Sequence, residues 1–497
     1  MRPATLTKHI LSTGRLGFGA IALGACMNMN HGAYGSSPEV IDVQPANGSF
    51  DGAPAKDMDP VDNVVEVELE AKPTAIELAS GHLVDMWTYN GVLPGPTIEA
   101  NVGDTVRVHL KNSLPEATTI HWHGLRVPAA MDGAPVVQRE IKPGETFTYE
   151  FVVPDAGTFW YHPHVRSDVQ IERGLYGPIV VHGADEPKVD GDHVVVIDDI
   201  LLDDTWQVAE GTSMMEAMDG REGNLLLANG RANPTLDVPA GSLQRFRFIN
   251  TANARFFRLA LPEHTLMQIG ADGALFEEVI DRKDVLVVPG QRVDLLVALA
   301  ADETATVAWQ TLPYVRGHGS NGGPSHDVFQ LRMQSALGES TPMPKHLAEV
   351  AALPAASVTR ELKFEEQMMS GGMHGGMHGG TSSSQMGPSF SFNGQAFPDI
   401  TPFEAKLGSV EEWKLVNATM MDHPFHLHGF RFQVVLGAGS EPARRAWRDT
   451  INVPANSTIR IRMRLDDHPG TWMFHCHILE HAERGMMGEL VVAENEG

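Results

Sequence analysis

From residue 64 onward the chain runs in short stretches where apolar and polar side chains alternate, cut apart by Pro, Gly and Asn. Runs at 64–69, 105–110, 146–152 and 179–182 make a first series, and runs at 193–197, 245–250 and 293–299 a second. A third follows Phe390, at 412–416, 459–465 and 489–492. Alternation of period two sends successive side chains to opposite faces of an extended backbone, so each run predicts a strand. Long helical periods are scarce, and many short strands between turns predict an all-β chain of antiparallel sandwiches or barrels.

The 497 residues suit two to four units of about 150 residues rather than one core. The pattern divides into 63–186, 187–345 and 346–497, preceded by a segment at 27–62 whose Gly, Ser, Pro and Asn content predicts a flexible tether. Two low-complexity stretches interrupt it: Met214-Met215-Glu216-Ala217-Met218, and an insert at 367–387 of Met and His among glycines. The insert is too rich in glycine to build a packed core, so its side chains must act without a fixed backbone.

Arg2, Lys8 and Arg15 precede an apolar stretch at 16–25, too short to span a bilayer but suited to an export signal within 1–26. It ends in Leu23-Gly24-Ala25-Cys26, which resembles a bacterial lipobox and makes Cys26 a candidate lipid anchor; plain secretory cleavage is the alternative. The expected location is the bacterial periplasm or cell envelope. With 37 Lys plus Arg against 63 Asp plus Glu, the net charge of −26 excludes nucleic acid as a natural partner. A monomer is the expected state. Two cysteines give no disulfide framework, and once Cys26 is processed Cys476 stands alone, a thiol that a metal bond would protect.

Four clusters carry the chemistry: His121-Trp122-His123-Gly124, His162-Pro163-His164, His423-Pro424-Phe425-His426-Leu427-His428-Gly429, and His475-Cys476-His477 followed by His481 and Met486. In a strand, residues two apart share a face, so each His-x-His aims two imidazoles at one place. Eight such imidazoles argue for more than one metal ion. Cys476 then projects away from His475 and His477, and one tripeptide touches two metal centres. With His423, His481 and Met486, its thiolate forms the donor set of a blue-copper site. Zinc rarely takes Met and has no redox use for such a set, which disfavours a zinc hydrolase.

These clusters resemble the copper motifs of the multicopper oxidase family. Asn90-Gly91-Val92-Leu93-Pro94-Gly95-Pro96-Thr97, Phe392-Asn393-Gly394-Gln395-Ala396-Phe397 and Arg448-Asp449-Thr450-Ile451 extend the match from about residue 64 to the C-terminus. The resemblance implies three cupredoxin-like Greek-key β-sandwich or barrel domains, the middle one a spacer. It also implies four copper ions: type 1 on His423, Cys476, His481 and Met486, type 2 on His121 and His426, and a type 3 pair on His123, His162 and His477 and on His164, His428 and His475. Dioxygen and a small reducing substrate are the implied partners. Asp132 matches a family acid used in proton delivery. Glu483 is the candidate for a second, shifted by one position from the family pattern, with an idle surface carboxylate as its alternative.

The insert, with Met368, Met369, Met373 and Met377, resembles the methionine-rich insert of periplasmic cuprous oxidases, and Met420 and Met421 beside His423 extend the thioether set. This makes Cu(I) the expected substrate and copper tolerance the expected role. A general laccase acting on phenols and amines, and a non-catalytic copper-sequestering protein, are the alternatives.

Overall fold

A computed structural model describes residues 38–494, apart from 46–47, 185, 319–321, 345, 369–387 and 438–444. The signal segment 1–26 with Cys26, and Met369, Met373 and Met377 of the insert, lie outside the described residues.

The described strands form six sheets in three pairs. In the first pair, one sheet runs His82–Tyr89, Val64–Ala79, Thr105–Asn112 and Thr146–Val152 in spatial order. The other runs Ile98–Asn101, Gly177–His182, Gly157–His162 and His121–His123. Burial along Thr105–Asn112 alternates with period two, as the sequence predicts, and its inward residues Val106, Val108 and Leu110 meet Trp122 and Tyr161 across the sandwich. The middle and third pairs enclose separate cores around Trp309 and Trp413. A further apolar cluster joins the first pair to the middle one through Met86, Trp160 and Tyr176 against Val196, Ile200 and Ile249.

One parallel pairing recurs in each unit: Val64–Ala79 on Thr105–Asn112, Gly191–Ile200 on Leu243–Asn250, and Val358–Met368 on Val410–Asn417. Parallel neighbours need a crossover, and in the first and third units that crossover contributes the edge strand, Ile98–Asn101 and Phe403–Lys406, of the sheet that carries the histidine-rich strands. The architecture is all-β and cupredoxin-like, as expected.

Two stretches differ from the expectation. The described part of 27–62 is docked rather than tethered: Ala55 N donates to Thr97 O, Thr97 N donates to Ala53 O, and Phe50 is buried in the middle core against Phe329. One aromatic anchor and free sheet-edge groups outweigh a composition that reads as linker. Met214–Asp219, read as low complexity, is a short helix whose Ser213 and Glu216 form a reciprocal capping box.

Phe50→Ala should therefore lower unfolding stability by about 3 kcal/mol, the usual result of emptying a buried aromatic site. Denaturant unfolding measures it, and a change within a few tenths would mean that the segment does not pack in solution.

Candidate metal centre

Two antiparallel strand pairs carry the histidines, one in the first unit and one in the third. His121 pairs opposite His162 in the first, and His426 opposite His475 in the second. Residues directly opposite in such a ladder share a face, so register brings each pair of rings together and the packing of the two units brings the pairs together. The same rule sorts the histidine-rich strand His423–Leu427. His426, continued by His428, lies on the His475 face, whereas His423 and Phe425 lie on the other face, where Phe425 pairs with Cys476.

The rings from the two units interleave. His121 stacks on His428 and His123 on His426, each at 3.7 Å between centroids. His428 Nε2 and His164 Nε2 lie 3.1 and 3.4 Å from His475 Nε2, and His162 Nε2 lies 3.4 Å from His123 Nδ1. All eight rings are buried, His164 being the most open at 9% exposed.

The outer ring nitrogens are held by the protein. His121, His162, His426 and His475 donate from Nδ1 to the backbone oxygens of Asp132, Pro163, Asp449 and Cys476 at 2.8–3.0 Å. His428 Nδ1 donates to Asp132 Oδ2 at 2.8 Å. With the outer nitrogen protonated, the inner one carries a lone pair, as a metal ligand requires. The inner Nε2 atoms of His121 and His426, and both ring nitrogens of His477, are buried without a hydrogen-bond partner. Orphaned acceptors converging on one space fit a metal cluster.

Electrostatics agree. Burial drives the imidazoles of His123, His162, His428, His475 and His477 well below the ordinary range, and His164 to about 3, so they stay neutral. Burial alone would raise Asp132, but the adjacent His428 and His121 imidazoles pull it well below the usual carboxylate range.

On the opposite face, Cys476 Sγ lies 3.5 Å from His423 Nδ1 and 3.9 Å from His481 Nδ1, and the two nitrogens are 3.3 Å apart. Their outer nitrogens are tied down by Thr419 Oγ1 at 2.8 Å and by Met218 O at 3.0 Å, the latter on the short helix of the middle unit. Cys476 N donates to Met486 O, and the buried Met486 belongs to the same apolar cluster as Cys476. Burial pushes the Cys476 thiol above its ordinary range, so the thiolate needs a bound cation to form. Two imidazoles, a thiol and a nearby thioether fit copper.

Met421 is buried beside this pocket, whereas Met420 is 67% exposed and its backbone N donates to Glu366 Oε1. Glu483 lies apart from both pockets, on the wall of a cavity of about 500 Å3, where its Oε1 accepts from Ser167 N and Oγ. The same cavity reaches Glu480, a buried acid that the motif analysis passed over. Asn253 Nδ2 donates to its Oε1 at 2.8 Å, and burial pushes it up to about 7. An acid directly after the apolar pair Ile478-Leu479 and before His481 is the signal that marked it. Also missed is the bidentate pair of Arg292 with Asp449, both buried, at 2.7 and 2.5 Å.

Three sequence-family profiles, each described as multicopper oxidase, match residues 70–186, 197–311 and 367–496. The chain is 32% identical to the multicopper oxidase MmcO of Mycobacterium tuberculosis, over 86% of each chain. It is 27% identical to laccase-1 of Cryptococcus neoformans, over 84% of this chain and 78% of that one. Among solved structures it is similar to the multicopper oxidase of Campylobacter jejuni, described as a metallo-oxidase, with 31% identity and a TM-score of 0.78 over 93% of this chain and 96% of the other. McoA of Aquifex aeolicus matches at 29% identity and a TM-score of 0.77, over 91% and 100%.

The raised Glu480 carboxyl sets a stability expectation for the copper-free protein. A folded-state value of about 7 against an ordinary 4.5 means that its stabilising effect is complete below 4.5 and lost as pH rises through 7. Glu480→Gln should remove this loss, so the variant gains up to about 3 kcal/mol over wild type between about pH 5 and pH 8. Thermal unfolding across that range measures it; parallel curves would show that Glu480 does not titrate there.

Proposed function

Because this chain belongs to the multicopper oxidase family, and is thereby a copper-dependent oxidoreductase, we propose that it holds four coppers and takes electrons from Cu(I), with phenols and amines as wider laccase-type substrates. His423, Cys476, His481 and Met486 would hold the type 1 copper, and His121 and His426 the type 2. His123, His162 and His477 would hold one type 3 copper, and His164, His428 and His475 the other. Bound copper supplies one-electron acceptance at the Cys476 pocket and four-electron reduction of dioxygen to water among the eight imidazoles.

The observation that carries the oxidase reading is that Cys476 and the two histidines flanking it lie on opposite faces of one continuous backbone, so the shortest covalent path between the pockets is a few bonds long. The remaining residues orient and exclude water. Asp132 fixes the His428 ring and is the candidate for moving a proton at the cluster. Glu483, with Glu480 beside it, is the candidate on the cavity side.

Cu(I) is favoured by how the Cys476 pocket is closed. Both its imidazoles are fully buried, and Thr419 and the Met214–Asp219 helix cover their outer edges, which denies a bulky ring direct contact. Beside this closed edge stand the exposed thioethers of Met214, Met215 and Met420, soft uncharged donors suited to a cuprous ion. The description of the Campylobacter jejuni protein as a metallo-oxidase points the same way. A role in copper tolerance follows, and we extend the proposal to export to the periplasm, with Cys26 as the lipid-anchor candidate, and to a monomeric state.

One observation favours the laccase alternative. A cavity of about 430 Å3 is walled by Phe256 and Tyr314, stacked at 5.7 Å, and the Tyr314 hydroxyl donates to Asp422, the neighbour of His423.

Oxygen uptake tests both levels. Cys476→Ser should abolish the blue colour and oxygen consumption with every reductant, and retained turnover would refute the electron path. Deleting residues 368–386, or changing Met420 to Ser, should lower Cu(I) turnover while phenol turnover holds or rises. Equal rates for both substrates after both changes would leave the thioethers no substrate role.

A further inference from the structure

The middle pair of sheets carries none of the metal-ligating histidines, which makes it look like a spacer. Arg292, at the start of its strand Arg292–Ala298, contradicts that. Its side chain is fully buried, and its guanidinium touches all three units: Nε donates to Thr158 O of the first, Nη1 to Gly290 O of its own, and Nη1 and Nη2 to the two carboxylate oxygens of Asp449 in the third.

Asp449 is where the pair meets the imidazoles. Its backbone oxygen accepts from His426 Nδ1 at 3.0 Å, and its Oδ1 lies 3.3 Å from His123 Nε2. Thr450 Oγ1 donates to Oδ1 at 2.8 Å while lying 3.1 Å from both His123 Nε2 and His426 Nδ1. The carboxylate thus sits behind two stacked rings, one from each outer unit. The same acid is a potential competitor, because donor atoms of His123, His426 and Asp449 fall within 4.8 Å of one another, close enough to hold an ion by themselves.

We propose that Arg292 is a positioning residue for the metal centre. By clamping both oxygens of Asp449, it keeps this carboxylate as the outer partner of His426 and His123 and prevents it from turning inward to become a ligand. A two-pronged guanidinium is the side chain that can engage both oxygens in one plane, whereas a lysine engages one point. The backbone makes room for it: at Gly124, next to His123 and at φ +86°, an added Cβ would lie 2.3 Å from Arg292 Nη2 and 2.6 Å from Asp449 Oδ2.

The inference rests on assigning His121 and His426 to the type 2 copper. Its test uses copper-loaded protein as wild type, Arg292→Lys, Asp449→Asn and the double variant, read by copper per chain, the type 2 electron paramagnetic resonance signal and retention of that copper against a chelator. The blue absorption of the Cys476 pocket serves as an internal control for folding. Arg292→Lys should retain type 2 copper roughly 10- to 100-fold less well, the usual effect of losing an outer-shell partner, with an altered signal and the blue band unchanged. The double variant should be no worse than the poorer single one, since both act through one contact. A wild-type signal and retention in Arg292→Lys, or strictly additive losses in the double variant, overturns the inference. Absence of a type 2 signal from wild type instead overturns the copper assignment. Should Arg292→Lys lose the blue band as well, its role is general folding and the proposal also fails.

Discussion

Neighbouring side chains in a strand cannot point the same way, and at Cys476 this restriction separates two metal pockets while leaving them joined. The strand Gly470–Cys476 turns His475 toward the imidazole cluster and Cys476 toward His423 and His481. Its partner strand His423–Leu427 obeys the same alternation, so this strand pair and the residues that continue it divide five histidines and a cysteine between the two sides. A register slip of one residue would exchange the faces and destroy both pockets together. The large apolar residues around this strand pair, Phe425, Phe474 and Trp413, therefore do more than fill volume: they fix which face is which.

Burial does the second half of the work. Removing the imidazoles of His123, His162, His164, His426, His428, His475 and His477 from water suppresses their protonation, and the crowding of ring against ring pushes the same way. Neutral rings still have two tautomers, and the backbone oxygens of Asp132, Pro163, Asp449 and Cys476 select the one whose lone pair faces inward. These acceptors sit at strand ends and turns, and the Asp449 oxygen takes the His426 ring in addition to Leu427 N. The arrangement is thus prepared before any ion binds, and the polar atoms left without partners are the ones an ion would satisfy. Cys476 differs: burial holds it as a thiol, so metal and proton compete for the same sulfur.

What could be read from the sequence follows from distance along the chain. Alternation, the His-x-His spacing and the Cys476 tripeptide are local, and they announced the strands, the all-β class and the clustering of ligands. Partners distant in sequence were not legible. Nothing near Arg292 marks it as the partner of Asp449, because the contact spans 157 residues and exists only once three cores have formed. The described part of 27–62 differed for the opposite reason: the average composition of the segment is that of a linker, and a few contacts, the burial of Phe50 and the backbone bonds of Ala53 and Ala55 with Thr97, dock it. Glu480 and the Ser213 to Glu216 capping box were visible locally, but each was hidden by a stronger neighbouring pattern, the metal motif in one case and the run of methionines in the other.

The middle unit then acquires a physical reason to exist. Without it, the outer units would enclose uncompensated negative charge at Asp449 and leave His481 without its outer hydrogen-bond partner. The middle unit supplies the guanidinium that neutralises the first and the Met218 oxygen that orients the second, and Asn253 holds the Glu480 carboxylate between them. Removing one partner of a buried ion pair leaves a desolvated charge that destabilises by roughly 3–5 kcal/mol, a large share of the stability of an ordinary domain. A unit that contributes none of the clustered histidines among the described residues is in this way coupled to both pockets, and changes in its packing should reach them through these three contacts.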